Sequence, residues 1–255
     1  MIHSIAKAVS EFKSSSGNIK ILTHHDTDGI TSGAILSKAL KREDLNFSIE
    51  IIKQLDHRHI AKLKKENHDI IFLLDFGSQS AHYFNDIKSK VFILDHHFVG
   101  KEEIPKNVIM INPLLSEDPN EKISASAIVY LFAKELNEKN KDLASLAIIG
   151  MVGDLREAKS SAIGNEILKD AHDIAIKKSI MFFPATRPLH KALEFSLGIF
   201  LPGITGSSEG SLNLLKEAGI KLKDGANYRT LLDLTEEEIK KLLKILSSKE
   251  NYHNM

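Results

Sequence analysis

The chain of 255 residues sets 34 Lys+Arg against 34 Asp+Glu and is 42% hydrophobic, which suits one large folded domain or two small ones and excludes a disordered segment. It has no Cys, so a disulfide scaffold, a zinc–thiolate site, an iron–sulfur cluster and a thiol nucleophile are excluded, and any metal must sit on His, Asp and Glu. A formal charge of zero argues against nucleic-acid binding by the whole surface, although a local basic groove stays open.

The first 112 residues alternate between two periodicities. Asn18 to Thr23, Asn46 to Ile52, Asp69 to Asp75, Lys90 to Asp95 and Asn107 to Ile111 are short β-branched-rich runs, several apolar on both faces, as strands buried in a parallel sheet are. Between them, Ser32 to Lys41, Asp56 to Lys65 and Gln79 to Lys88 have helical spacing and polar faces. This alternation predicts an α/β fold, a doubly wound and mostly parallel five-stranded sheet with right-handed crossovers.

After Pro113 the strand pattern stops, and Ile123 to Asn137, Lys141 to Glu157 and Ala162 to Ser179 read as three helices, the second apolar enough to lie against the sheet. Pro184, Pro188, Pro202 and the glycines at 203, 206 and 210 then punctuate the chain. Two charged amphipathic helices are expected beyond them, the last opened by a capping box of Thr235 and Glu238. The expected organisation is an α/β domain over residues 1–180 and a helical C-terminal appendage over 181–255. Neither Ile70 to Leu74 nor Ala144 to Val152 approaches the roughly 20 apolar residues that span a bilayer. Lys7, Glu11 and Lys13 interrupt Met1 to Ser16, which does not read as a signal peptide. A cytoplasmic protein without membrane association is the expectation.

In an open α/β sheet, ligands bind outside the carboxyl ends of the strands. The acids and histidines of this sequence fall at those ends: His24, His25, Asp26 and Asp28 after the first strand, Asp75 after the third, and Asp95, His96 and His97 after the fourth. A single Asp in such a place reads equally well as a helix N-cap; three strand ends together do not. Carboxylates and imidazoles converging without a balancing Lys or Arg repel one another unless protons or cations sit among them. Oxygen-rich ligation with some imidazole suits Mn²⁺ or Mg²⁺, and two such ions sharing a carboxylate activate water for attack at phosphorus.

Four segments, HHDTDGITS at 24–32, LLDFG at 73–77, LDHH at 94–97 and GMVGDL at 150–155, resemble the four motifs of the DHH phosphoesterase superfamily in their usual order. The segment from Phe182 to Gly225 resembles, more loosely, the archaeal RecJ-like branch with its GINS-associated nucleases. The resemblance implies a metal-dependent phosphodiesterase, a RecJ-like exonuclease on single-stranded DNA, RNA or short oligonucleotides, with two Mn²⁺ per site or Mg²⁺ in their place. It implies that His24, Asp26 and Asp75 hold one ion and Asp28, Asp75, His96 and Asp154 the other, with Asp75 shared. It gives Asp95 the task of orienting a ligand imidazole and His97 that of stabilising the phosphate or protonating the leaving oxygen. Only the resemblance picks out Asp154, which by its position ends an apolar helix.

His25 falls where the family tolerates many residues and reads as a solvent-side or packing histidine. Ser124 and Ser126 open a helix whose N–H groups can take a phosphate, although an ordinary N-cap accounts for them as well. Arg187 and His190 are candidates for gripping a phosphate or a nucleic-acid backbone, or for a surface contact. Phosphodiesterases of the superfamily carry a further DHHA1 domain with a GGGH-type motif, and no such motif occurs in this sequence. The chain is therefore expected to be a truncated or naturally split product, or to work with a separate chain carrying a DHHA1-type domain or with replication proteins such as GINS. The competing expectations are a Cdc45-like replication subunit without catalysis and a manganese pyrophosphatase-like phosphohydrolase. Cdc45-type proteins lose the ligands, which this sequence keeps.

Overall fold

The computed structural model describes residues 1–116, 119, 122–156, 161–174, 180, 185–196 and 199–250. It divides into two compact units, Met1–Ile174 and Ala175–Met255.

The first unit is built on five strands, β1 (Ile19–His24), β2 (Phe47–Ile52), β3 (Ile70–Leu74), β4 (Lys90–Leu94) and β5 (Val108–Ile111), all parallel, in the order β2-β1-β3-β4-β5. Helices α1 (Ile2–Lys13), α2 (Thr27–Arg42), α3 (His57–Lys65), α4 (Ala125–Leu136), α5 (Ala144–Gly153) and α6 (Ala162–Asp170) flank it. The expected α/β sheet is therefore present, strand for strand.

Strand alternation divides the apolar side chains between two faces. Phe72, Leu74, Phe92 and Leu94 share one core cluster with α1, α2, α4 and α5, while Ile71, Leu73, Val91 and Ile93 share another with α3 and the turn at residues 81–84. On the first face the rings of Phe12, Phe72, Phe92 and Phe132 interlock, with Phe72 stacked on Phe92 at 4.9 Å and Phe12 edge-on to Phe72 at 5.4 Å. Burying aromatic rings of this size is the largest single apolar contribution available to a core.

Three expectations are corrected. The stretch from Gln79 to Lys88 forms a 3-10 turn only at Ala81–Phe84, because Ala81, Phe84 and Ile87 reach the sheet without a full helix. The helix expected from Ser32 starts five residues earlier, since Asp26 caps it by accepting from the Gly29 amide at 2.9 Å. The segment expected as one helix from Lys141 is a 3-10 turn at Glu138–Leu143 followed by α5, and α6 ends at Asp170. Glu157 and residues 175–179, where two helices were expected to end, lie outside the described residues, as does Pro184.

The second unit contains α7 (Leu189–Glu194), α8 (Ser208–Glu217), a two-stranded hairpin of β6 (Lys223–Asp224) and β7 (Asn227–Tyr228), and α9 (Glu236–Glu250). It has three helices and a hairpin where two helices were expected. Its own core includes Leu189, Leu193, Leu214, Leu215, Leu234 and Leu242. The capping box stands as expected: the Glu238 amide donates to Thr235 Oγ1 at 3.2 Å, and Glu238 returns its carboxylate to the Thr235 amide at 2.9 Å. Arg229 fastens the same helix start through a bidentate pair with Glu238 at 2.7 and 2.8 Å. Among the described residues, no helix is long and apolar enough to cross a membrane.

Candidate metal centre

The strand order reverses direction between β1 and β3, and the site lies at that switch, outside the carboxyl ends of β1, β3 and β4. Asp75 is its middle. The residue follows β3 in the left-handed region at φ +66°, and is 1% exposed. An L-residue there costs about 1–2 kcal/mol, least for Asp and Asn. The other non-glycine residues with positive φ among the described ones are Asp44 and Leu155, and Leu155 adjoins Asp154. Strained backbone thus concentrates where the acids meet.

The two carboxylate oxygens of Asp75 face different partners. Oδ2 lies 3.3 Å from His24 Nδ1, which is in turn 2.9 Å from Asp26 Oδ2. Oδ1 lies 3.3 Å from His96 Nε2, which stands 3.8 Å from Asp28 and 3.6 Å from Asp154. His24, Asp26 and Asp75 form one group with the spacing of a metal site, and Asp28, His96 and Asp154 another. Both oxygens of Asp75, His24 Nδ1 and His96 Nε2 are buried, yet none has a hydrogen bond of acceptable geometry. Buried polar atoms are almost always partnered, so this concentration of orphans fits a donor set for hard cations. Burial raises the Asp75 carboxyl far above the usual carboxylate range, and the neighbouring Asp28 and Asp26 carboxylates raise it further.

Two of the ligand carboxylates, Asp26 and Asp28, are held from behind by backbone amides. Asp26 Oδ1 takes the Gly29 amide, leaving Oδ2 for the centre. Gly29 is required because a Cβ there would lie 2.4 Å from the His24 carbonyl oxygen. Asp28, 2% exposed in the first turn of α2, accepts the amides of Ala125 and Ser126 at 2.7 and 3.0 Å. Gly150 and Gly153 let α5 approach α2: a Cβ at Gly150 would meet Thr31 and Ser126, and one at Gly153 would meet Thr27. That approach brings Asp154, the residue ending α5, into the group.

Asp95 and His97 form a pair beside the centre. Asp95 is fully buried and accepts from the His96 and His97 amides, from the Ser78 amide at 3.0 Å, and from His97 Nδ1 at 2.7 Å. Burial by itself would raise its carboxyl, but the His97 ring and the Ser78 amide outweigh it and hold the group at about 2. The same hydrogen bond raises the His97 imidazole above its ordinary value. The ring on Asp95 is therefore that of the half-exposed His97, whereas a ligand imidazole was expected there.

Other residues stand differently from the sequence expectation. Ser124 and Ser126 have no exposed surface; their hydroxyls bond each other at 2.8 Å, and the helix start they open is filled by the Asp28 carboxylate. The structure thus leaves no open phosphate cradle at that helix start. The cluster is also not without a cation: Arg156 Nε lies 3.0 Å from Asp154 Oδ2. Its position two residues after the GMVGD motif was the signal that could have found it. Arg187 and His190 belong to the second unit, Arg187 exposed and His190 with its ring 5.6 Å from that of Tyr228. His25 is exposed, as a solvent-side histidine would be, but its Nδ1 lies 3.1 Å from His24 Nε2.

Residues 18–151 match the DHH family, N-terminal domain, and residues 181–254 match the DHH-CID domain. The chain belongs to the DHH family. An uncharacterized protein of Methanocaldococcus jannaschii is 31% identical over 230 residues, 86% of this chain and 52% of that protein, so the chain spans about half the length of this relative. Among solved structures, RecJ in complex with Mn²⁺ from Thermus thermophilus is 18% identical, with a TM-score of 0.57 over 98% of this chain and 38% of that one. CDC45 from Entamoeba histolytica is 16% identical, with a TM-score of 0.67 over 99% of this chain and 58% of that one. These two likenesses show a shared RecJ- and Cdc45-like fold.

Proposed function

We propose that the chain is a metal-dependent phosphodiesterase acting on single-stranded DNA, RNA or short oligonucleotides in the manner of a RecJ-like exonuclease. The observation that carries this reading is Asp75, whose two buried, unpartnered oxygens face two separate sets of His and Asp. In this reading His24, Asp26 and Asp75 hold one divalent cation, and Asp28, Asp75, His96 and Asp154 hold the second. Mn²⁺, the ion of the RecJ complexes similar in fold, is the preferred occupant, and Mg²⁺ the alternative. Such a pair supplies an acidified water and neutralises charge on the phosphate oxygens.

The remaining work falls to the chain's own residues. His97, half exposed and fixed through Nδ1 by Asp95, is free at Nε2 to stabilise a phosphate oxygen or hand a proton to the leaving oxygen. Asp95 keeps that ring oriented and favours its protonated form. Arg156 sits on Oδ2 of Asp154, the oxygen that also faces His96, and limits the negative charge a phosphate meets on approach. Arg187 and His190, in the second unit, are assigned to the nucleic-acid backbone.

Degradation of labelled single strands with Mn²⁺, compared with pyrophosphate hydrolysis, tests the reading. Strand degradation that Asp75→Ala abolishes supports it; robust pyrophosphate hydrolysis with no strand degradation replaces it with a phosphohydrolase. A Cdc45-like subunit is the second reading, favoured by the TM-score of 0.67 to that protein. Tight binding to GINS-like proteins, with no hydrolysis under any metal or after addition of a DHHA1-type chain, selects it.

A further inference from the structure

His24 is the last residue of β1, and its backbone is fixed by the close approach of Gly29, whose added Cβ would fall 2.4 Å from the His24 oxygen. The ring is not fixed by its backbone. A half-turn about the bond from Cβ to the ring would carry Nδ1 away from Asp26 and Asp75. The atom opposite is Nε2, and it lies 3.1 Å from Nδ1 of His25, the two rings meeting edge to face at 4.6 Å. A ligand imidazole can present a lone pair at one nitrogen only if the proton sits on the other, and what that second nitrogen bonds to decides the tautomer.

We propose that His25 is a positioning residue for the first cation site, its Nδ1 accepting the Nε2–H of His24 and so holding the His24 Nδ1 lone pair toward Asp26 and Asp75. The proposal rests on the metal-centre reading above. It gives a task to an exposed side chain that contributes nothing to the core and that the catalytic assignment leaves idle. Asp95 serves the neighbouring motif in the same fashion, taking Nδ1 of His97. The difference is that His25 acts from the solvent side, so its removal leaves no cavity and no buried orphan.

The test uses the full chain and three proteins: wild type, His25→Ala and His25→Asn. In Asn the carbonyl oxygen occupies nearly the place of Nδ1 and can accept the same hydrogen bond. Mn²⁺ uptake is measured by calorimetry and by the electron-paramagnetic signal of the free ion, with the urea midpoint of the metal-free proteins alongside. Removing an outer partner of a ligand histidine typically weakens binding about 10–100-fold. His25→Ala is expected to weaken one of two Mn²⁺ by about that factor, with the other ion and the urea midpoint unchanged, and His25→Asn is expected to recover most of the loss. Histidine ¹⁵N correlations of the Mg²⁺-loaded wild type should show the His24 proton on Nε2.

Two ions bound by His25→Ala as tightly as by wild type overturn the proposal, as does His25→Asn binding as weakly as the alanine variant. A His24 proton on Nδ1 in the loaded wild type does the same. A wild-type chain that takes up no Mn²⁺ overturns the metal-centre reading, and this proposal with it.

Discussion

The Asp28 carboxylate closes the start of α4, taking the amide of Ala125 at 2.7 Å on one oxygen and the amide of Ser126 at 3.0 Å on the other. An acid from the first turn of one helix therefore serves as the cap of another 97 residues away, and the same carboxylate belongs to the candidate metal centre. Two consequences of opposite sign follow for substitutions at Asp28 and Asp75.

Asp28→Ala strands two buried amides in a dry interior, at a cost of about 1–3 kcal/mol for each donor left unpaired. Asp28→Asn rescues only one of them, because its amide nitrogen turns a donor toward a donor. Both variants should unfold at lower urea in EDTA than wild type, the alanine variant lowest. Wild-type urea midpoints in both would show that water or a rotated side chain replaces the carboxylate at the helix start.

Asp75→Asn should move the midpoint the other way. Burial and the Asp28 and Asp26 carboxylates raise the folded-state carboxyl of Asp75 to about 10, so its stabilising contribution is complete below the ordinary carboxylate range and is lost progressively as pH rises through that raised value. Without metal, wild type should lose stability between about pH 4 and about pH 10 by an amount that Asp75→Asn abolishes. Adding Mn²⁺ should restore the wild type and leave the variant unmoved. Denaturation curves at several pH values, with EDTA or Mn²⁺, measure both effects; a wild type whose metal-free stability is flat over that range contradicts the argument.

If the proposed hydrolysis needs protonated His97, the Asp95–His97 hydrogen bond should set its alkaline limb. Asp95 raises the His97 imidazole, so activity that needs protonated His97 persists above the usual histidine range and falls as pH rises through the raised value. Asp95→Asn should shift that limb to lower pH and reduce the rate. His97→Ala should cost about 10²–10⁴-fold and remove the limb altogether. The pH profile of dinucleotide hydrolysis separates the two, and an unchanged limb in Asp95→Asn would assign it to another group.

Most of the sheet and the set of converging acids were legible because both depend on short-range pattern. Runs such as IIFLL and KVFIL announce buried parallel strands by composition, and their polar successors, Asp75, Asp95 and His96, then fall at the strand ends by counting. What failed needed partners distant in sequence. The helix start at Ser124 and Ser126 reads as an ordinary N-cap or a phosphate-binding set of N–H groups, because nothing local indicates that the Asp28 carboxylate occupies it. Gln79 to Lys88 has helical spacing, but Ala81 and Phe84 reach the sheet from a single 3-10 turn and Ile87 from the segment after it. The first helix falls outside the expected elements although Ile5, Val9 and Phe12 are spaced at four and three residues along a polar segment.

That helix supplies the last prediction. Phe12 is 3% exposed and edge-on to three rings, those of Phe72, Phe92 and Phe132, at 5.4, 6.0 and 5.9 Å. Replacing a buried Phe by Ala costs about 3–5 kcal/mol, the lost transfer energy plus a cavity that a rigid sheet cannot close. Phe12→Ala should therefore lower the unfolding free energy by that order. Phe12→Leu, which keeps much of the volume, should cost less. Lys7→Ala on the same helix should have almost no effect, because Lys7 is exposed and lies outside the core cluster. If α1 were a detachable arm, all three would unfold together with wild type. Urea denaturation followed by near-ultraviolet circular dichroism reports directly on the packed rings, and a Phe12→Ala midpoint equal to that of wild type would remove α1 from the cooperative core.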